Sequence, residues 1–131
     1  LAEVTRPSTG ATVLFVGTVR DRSEGRAVTG IEYAAYGPMA ERELAAIAAA
    51  AAGQFDTPDI VVEHRVGRLA LGEASVAIAV AHPHRGAAYD ASRYIIEQIK
   101  QRLPIWKREA YADGTRAWVD PTAHAPAMAG R

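Results

Sequence analysis

The chain has 131 residues, 49% of them hydrophobic and 23% charged, and its fifteen Lys and Arg balance fifteen Asp and Glu. This composition predicts a single globular domain over residues 1–131, and zero net charge argues against non-specific nucleic-acid binding, which needs a basic surface. The absence of cysteine excludes a disulfide framework and a thiolate nucleophile, and no apolar run reaches membrane-span length, so we expect a cytoplasmic protein without a membrane partner.

The order of the predicted elements is typical of an α+β fold. Stretches rich in β-branched and aromatic residues predict strands, and apolar residues at helical spacing predict two helices. The expected elements are a lead-in at 1–10, a strand at Ala11–Arg20, a mobile polar loop at Asp21–Ala27, a strand at Val28–Tyr36, a helix from Gly37 to a stop at Gly53, strands at Ile60–Leu71 and Ala74–His82, a helix at Gly86–Leu103, extended chain at Ile105–Tyr111, a strand at Thr115–Val119 and a flexible tail at 120–131.

Local signals set the predicted topology. The dipeptide Gly72-Glu73 predicts a tight hairpin turn, so the strands on either side of it are expected to pair antiparallel. Pro104 is expected to end the second helix, because the residue before a proline avoids the helical region. Together these signals predict two helices laid on one mainly antiparallel sheet.

The only two lysines, Lys100 and Lys107, lie seven residues apart in a chain that otherwise uses thirteen arginines. An arginine stays protonated in any protein site, whereas a lysine amine loses its proton when burial or a nearby cation lowers its pKa. Such an amine can act as a base, an acid or a nucleophile. The alternative is that both lysines lie on a solvated face of an arginine-rich chain.

The predicted geometry can bring the two amines together. Lys100 falls in the last turn of the second helix, at the rim of its apolar stripe. After the proline corner, strand alternation places Lys107 and Glu109 on one face. We expect Arg102 and Arg108 to lower the pKa of both amines by like-charge repulsion.

A second candidate site is formed by His84 and Arg85, where a strand ends and a helix begins. Free backbone N–H groups and the helix dipole favour anions at such a position, and both side chains add donors. The alternatives are a capping turn and a His-x-His metal fragment with His82. We expect no metal, because no third ligand lies at a recognisable spacing, although distant His64 or a carboxylate stays open as a third ligand.

A third candidate is Arg20, which ends the first strand. Together with Arg22 and Arg26 on the following polar loop, it could clamp a phosphate. A solvated charged loop is the alternative. The sequence has no Walker-type motif, no dinucleotide glycine fingerprint and no Gly-x-Ser-x-Gly elbow.

Taken together, these stretches resemble the large, catalytic subunit of molybdopterin synthase, in order from about Gly10 to Val119. The most specific part runs from Lys100 through Pro104-Ile105-Trp106-Lys107-Arg108-Glu109. The other matching stretches are Leu14-Phe15-Val16-Gly17-Thr18-Val19-Arg20, Ser23-Glu24-Gly25-Arg26, Gly30-Ile31-Glu32-Tyr33, His64-Arg65-Val66-Gly67, Gly72-Glu73 and His84-Arg85.

The resemblance implies an α/β hammerhead-type fold and a homodimer that binds one small ubiquitin-like sulfur-carrier subunit at each end, giving a heterotetramer. The carrier's C-terminal Gly-Gly, charged as a thiocarboxylate, would enter a pocket of this chain. Its sulfur would pass to cyclic pyranopterin monophosphate, and two transfers would build the dithiolene of molybdopterin. The transfer implied by the resemblance uses no metal or other cofactor.

The resemblance also implies roles for individual residues. Lys100 and Lys107 match the essential lysines of the family, with Lys100 expected closest to the chemistry. The expected contacts to substrate anions are Arg20, His84 and Arg85, and the expected pocket neighbours are Phe15 and Glu109. The tail after Val119 does not resemble the basic C-terminal segment of the family.

Two functions of other classes stay open at this point. The chain could be a non-catalytic docking module that receives a ubiquitin-like tail, or a small anion- or nucleotide-binding domain built on His84 and Arg85. A carrier-dependent product assay separates the first from the enzyme, and nucleotide binding without carrier binding indicates the second.

Overall fold

The computed structural model describes residues 1–119, so the predicted flexible tail lies outside the described residues. Its helices and strands confirm the predicted α+β class, with two helices packed on antiparallel sheets. In chain order they are β1 (Ala11–Thr18), β2 (Arg22–Ser23), β3 (Arg26–Ala35), α1 (Gly37–Phe55), β4 (Ile60–His64), β5 (Gly67–Ala70), β6 (Ala74–His82), α2 (Arg85–Arg102), β7 (Ile105–Tyr111) and β8 (Arg116–Val119).

The strands form two sheets, so the prediction of one sheet is wrong. The first sheet has the order β1-β6-β4, and the second has the order β2-β3-β7-β8 with β5 also paired to β3. Every strand pairing in both sheets is antiparallel.

The stretch Ile60–Leu71, predicted as one strand, is divided between the two sheets. Its first part pairs with β6, whereas its second part crosses over and pairs with β3. Gly67 has a φ of +93° at the point where the chain changes sheet, a conformation that glycine adopts without steric cost. The turn at Gly72-Glu73 therefore joins strands of different sheets, and the predicted hairpin there is wrong.

The segment Asp21–Ala27, predicted as an irregular polar loop, contains a short hairpin instead. β2 pairs with the start of β3, matching Arg22 with Ala27 and Ser23 with Arg26. The two residues between the strands, Glu24 and Gly25, have φ values of 50° and 81°. Two successive positive φ angles match the twist of the flanking strands in a two-residue hairpin turn.

Helix α1 continues beyond the predicted stop at Gly53 and ends at Phe55. Asp56 follows in the left-handed conformation, and its N–H bonds to the Ala52 carbonyl. The Phe55 ring packs edge-on against Tyr94 of α2, with ring centroids 5.7 Å apart. This packing favours two more helical residues over termination at the glycine.

Helix α2 follows its predicted pattern. Ala88, Ala91, Ile95 and Ile99 are all buried, and the chain becomes extended at Leu103, the residue before Pro104. Both helices pack on the face of the first sheet that carries Ile78 and Val80, which are fully buried. No helix within residues 1–119 combines the length and the apolar character needed to cross a membrane.

Candidate active site

A polar cavity of about 130 Å³ lies where both sheets meet the C-terminal end of α2. It draws residues from β1, β3, β6, α2 and β7 and from the chain between β1 and β3. Its lining consists of Phe15, Gly17, Thr18, Arg20, Arg22, Ile31, Tyr33, Ser75, Val76, Ile96, Lys100, Lys107 and Glu109. The cavity therefore holds five of the seven residues predicted for the site.

The two lysines reach this cavity from different elements. Lys100 lies in the last turn of α2, and Lys107 lies on β7 after the bend at Pro104. The structure thus places both amines in one pocket, as the proline corner predicts. Their catalytic roles stay a prediction.

Lys107 faces a buried carboxylate. Its Nζ atom lies 3.7 Å from Oε2 of Glu109, whose residue is only 3% exposed. The other carboxylate oxygen, Oε1, accepts a hydrogen bond of 2.8 Å from the Tyr111 hydroxyl. These three residues alternate along β7 and so share the face that points into the protein. A fixed negative charge therefore lies next to one of the two amines.

Lys100 is in a different electrostatic environment. Loss of water around the amine lowers its pKa below the usual 10.5, and the positive charges of Lys107 and Arg20 lower it further. The residue as a whole is exposed, but part of it lines the cavity. The free-energy cost of protonating the amine depends on how much water the pocket removes from the ammonium group. The exposure of the rest of the side chain does not change this cost.

The cations that repel Lys100 are not those predicted from the sequence. Arg102 bonds to Glu43 of α1, with Nε 2.7 Å from Oε1. Arg108 pairs with Glu32 on the opposite face of its sheet. Both guanidinium groups are therefore neutralised by carboxylates, and the prediction that they act on the lysines is wrong. Arg102 and Arg108 are close to the lysines in sequence. In the structure, Arg102 points from its helix toward Glu43, and strand alternation turns Arg108 to the face opposite Lys107.

Two of the three arginines predicted to clamp an anion line the cavity. Arg20 and Arg22 lie on its wall beside Phe15. Arg26 instead places its guanidinium carbon 3.5 Å from the centre of the Tyr111 ring and forms an ion pair with Asp113 at 3.1 Å. Arg26 therefore supports the base of the site and does not line its wall.

His84 and Arg85 are at the opposite end of α2 from Lys100. They line a separate open depression with Gly10 and Pro83. Arg85 and Lys100 are fifteen positions apart on the helix, which is about 22 Å at the usual rise per residue. Within one chain the histidine–arginine turn and the lysines therefore do not share a pocket.

The turn nevertheless has the local geometry of a helix start. His84 is the N-cap residue of α2, its side chain makes no capping hydrogen bond, and Arg85 is the first residue of the helix. Its role in anion binding stays a prediction.

The sequence prediction missed Tyr33 and Ser75, which line the cavity between the two sheets. Tyr33 is the direct cross-strand partner of Lys107, and its ring packs edge-on against His64 with centroids 5.1 Å apart. Burial lowers the pKa of His64 below 6.5, and Lys100 adds to this effect. Only the pairing of β3 with β7 reveals Tyr33 as a site residue, and the single sequence does not state that pairing.

The described part of the chain contains no group of three or more His, Asp or Glu residues arranged to bind a metal. The cavity lining offers two amines, two guanidinium groups, one buried carboxylate and the hydroxyls of Thr18, Tyr33 and Ser75. The cations and hydroxyl donors suit an anionic guest.

Comparison with known families decides where the chain belongs. The profile of the family described as MoaE protein matches residues 1–102. The chain belongs to the MoaE protein family. This assignment agrees with the resemblance found in the sequence, and it includes Lys100 within the matched residues.

Individual members of the MoaE family extend the match through β7. The chain is 42% identical over 118 residues to a molybdopterin synthase catalytic subunit of Aspergillus fumigatus. The alignment covers 90% of this chain and 63% of that protein. It is 44% identical over 119 residues to the Bacillus subtilis protein of the same name. That alignment covers 91% of this chain and 75% of the Bacillus subtilis protein. The chain thus spans less than two thirds of the fungal relative.

A solved structure supports the same fold. Molybdopterin synthase from Staphylococcus aureus superposes with a TM-score of 0.79 at 39% identity, covering 88% of this chain and 84% of that one. The two-sheet architecture described above is therefore that of a MoaE protein.

Proposed function

We propose that this chain is the catalytic subunit of a molybdopterin synthase. It would transfer sulfur from the C-terminal thiocarboxylate of a small ubiquitin-like carrier subunit to cyclic pyranopterin monophosphate. Two such transfers would form the dithiolene of molybdopterin. The proposal is supported by membership of the MoaE family and by relatives named molybdopterin synthase catalytic subunit.

The observation that carries the proposal is that Lys100, Lys107 and Arg20 line one cavity. A thiocarboxylate tail and a cyclic phosphate are both anions. Converging cations in a partly enclosed pocket raise the local concentration of such guests and orient them for reaction. Phe15 would contribute an apolar wall beside the bound tail.

The two lysines would have different roles. Lys100, whose pKa is lowered, offers a larger fraction of free amine near neutral pH than an ordinary lysine, so it would act as acid and base or as a transient covalent partner. Lys107, with Glu109 at 3.7 Å, would stay in a fixed position and stabilise negative charge on the guest. Glu109 would thus act through Lys107.

The proposed assembly is a homodimer with one carrier on each chain, working in the cytoplasm. His84 and Arg85 lie too far along α2 to reach the lysine cavity of their own chain. They would contact the bound anion only if they came from a second copy. The homodimer therefore gives these two residues a place in the substrate site.

The decisive experiment combines the purified full chain, thiocarboxylated carrier and cyclic pyranopterin monophosphate, followed by an assay for molybdopterin. We expect product with the unmodified chain, none with Lys100→Ala, and carrier binding in both. A carrier ending in an ordinary carboxylate is the matched control and should yield no product.

Other outcomes would identify the alternatives. Carrier binding without product from the unmodified chain would indicate a docking module. Binding of a nucleotide phosphate with no affinity for the carrier would indicate an anion-binding domain.

A further inference from the structure

A buried pair of side chains lies at the base of the lysine cavity. Tyr111 and Glu109 are 8% and 3% exposed, and the Tyr111 hydroxyl donates a hydrogen bond of 2.8 Å to Oε1 of Glu109. The hydroxyl leaves Oε2 as the oxygen nearest Lys107, at 3.7 Å from Nζ. Each carboxylate oxygen thus has its own partner.

Tyr111 is itself held in place from the side. The guanidinium carbon of Arg26 lies 3.5 Å from the centre of the Tyr111 ring, a separation suited to cation–π attraction. Nη2 of Arg26 also donates to Asp113 at 3.1 Å and to Thr115 at 2.9 Å. The ring is therefore held by a cation that is fixed by the turn between β7 and β8.

The hydrogen bond has a defined direction. Bonding to the Glu109 carboxylate raises the pKa of Tyr111 above its usual 10.0, so the phenol keeps its proton near neutral pH and acts as the donor. A hydrogen bond to a charged carboxylate is stronger than one between neutral groups. It restricts rotation of the carboxylate and hence the direction from which Oε2 attracts Lys107.

We propose that Tyr111 is a positioning residue for the sulfur transfer, which orients Glu109 so that this carboxylate holds the Lys107 amine toward the bound anion. Arg26 supports this arrangement by holding the Tyr111 ring. The inference rests on the proposed function and extends it to two residues, Tyr111 and Arg26, that do not line the cavity.

A purely structural role for Tyr111 gives different results. If the ring only fills space between the sheets, loss of the hydroxyl lowers stability or activity by a factor independent of Glu109. If the hydroxyl acts through the carboxylate, its effect on the rate disappears once the carboxylate charge is gone. A double-mutant cycle separates these two cases.

The experiment compares Tyr111→Phe, Glu109→Gln and the double variant in single-turnover sulfur transfer. We expect Tyr111→Phe to lower the rate about tenfold, as for loss of a hydrogen bond to a charged group, while the carrier Kd changes less than twofold. In the Glu109→Gln background the same change should lower the rate less than twofold. Tyr94→Phe, whose ring packs against Phe55, is the matched control and should keep the normal rate.

The proposal is overturned if Tyr111→Phe keeps the normal rate, or if it lowers the rate by the same factor in both backgrounds. Failure of the unmodified chain to form molybdopterin would instead refute the proposed function. The positioning step is then read by mass spectrometry from the rate at which added acetic anhydride acetylates the Lys107 amine, with release of acetate. That rate should change in Tyr111→Phe and stay constant in Tyr94→Phe, and equal rates in the two variants overturn the positioning role.

Discussion

The Nζ atom of Lys107 lies 3.7 Å from Oε2 of Glu109, whereas Lys100, in the same cavity, forms no ion pair with a carboxylate of residues 1–119. The two amines are the same chemical group, but the charges around them differ. One has a fixed counter-charge, and the other has a pKa lowered by burial and by two neighbouring cations. This asymmetry supports the proposed division of roles, in which Lys100 would carry proton transfer or covalent chemistry and Lys107 would stabilise charge.

Replacing each lysine by arginine tests that assignment, because arginine keeps the positive charge but does not release its proton. We expect Lys100→Arg to reduce single-turnover sulfur transfer by about 10²–10⁴-fold, the range of a lost acid–base group. Lys107→Arg should cost about tenfold or less, since its charge remains near Glu109. Comparable losses in the two variants, measured at saturating carrier, would contradict the division of roles.

The pH dependence of the rate should report the pKa of Lys100. If the free amine is the reactive form, the rate rises with pH until that lowered pKa is passed. Burial is the largest cause of the lowering, followed by Lys107 and Arg20. Removing the positive charge in Arg20→Gln moves the pKa back toward 10.5, so the rising limb of the pH–rate profile shifts to higher pH.

A matched control for that experiment is Arg93→Gln, on the exposed side of α2, where Arg93 pairs with Glu97 at 3.1 Å. Its profile should coincide with that of the unmodified chain. An Arg20→Gln profile that stays unchanged or moves to lower pH would show that Lys100 does not control the titration. Measuring the rate at saturating carrier and precursor separates this effect from weaker anion binding.

Subunit complementation tests whether Arg85 serves the lysine cavity of a second chain. Lys100→Ala and Arg85→Gln should each be inactive as homodimers. In a mixed dimer, one cavity combines Lys100 of one chain with Arg85 of the other and is complete. Random pairing in an equal mixture therefore restores about one quarter of the active sites.

Pairing Lys100→Ala with Lys107→Ala is the control, because both changes affect the cavity of their own chain. No mixed dimer of that pair contains a complete cavity, so no activity should return. Equal recovery in both mixtures, or none in either despite mixed dimers seen by native mass spectrometry, would show that Arg85 does not act across the interface.

The parts of the site that the sequence predicts are those encoded by local periodicity. The helical stripe of Ala88, Ala91, Ile95 and Ile99 places Lys100 at the rim of the core. Pro104 ends that helix, and alternation along β7 then turns Lys107 and Glu109 inward. Each of these signals acts over a few residues, so a single sequence is sufficient to read it.

The remaining features depend on contacts distant in sequence. The periodicity of Ile60–Leu71 is compatible with one long strand. Its division between two sheets depends on pairing with different strands, because its first part pairs with β6 and its second part with β3. The same holds for Tyr33, which becomes a neighbour of Lys107 only through the pairing of β3 with β7. The separation of Arg85 from Lys100 follows from the length of α2, which holds them at opposite ends.

Two glycines give a test of the packing. Gly53 lies inside α1, and a methyl group there would meet no atom within 4 Å apart from its chain neighbours and the backbone of its own helix. Gly53→Ala should therefore raise the free energy of unfolding by about 0.5–1 kcal/mol, because alanine favours the helix. A methyl group at Gly10 would lie 2.5 Å from the Pro83 carbonyl oxygen, so Gly10→Ala should lower it by about 1–3 kcal/mol. Urea denaturation measures both changes, and an unchanged or raised free energy of unfolding in Gly10→Ala would contradict the close approach of Gly10 to the histidine–arginine turn.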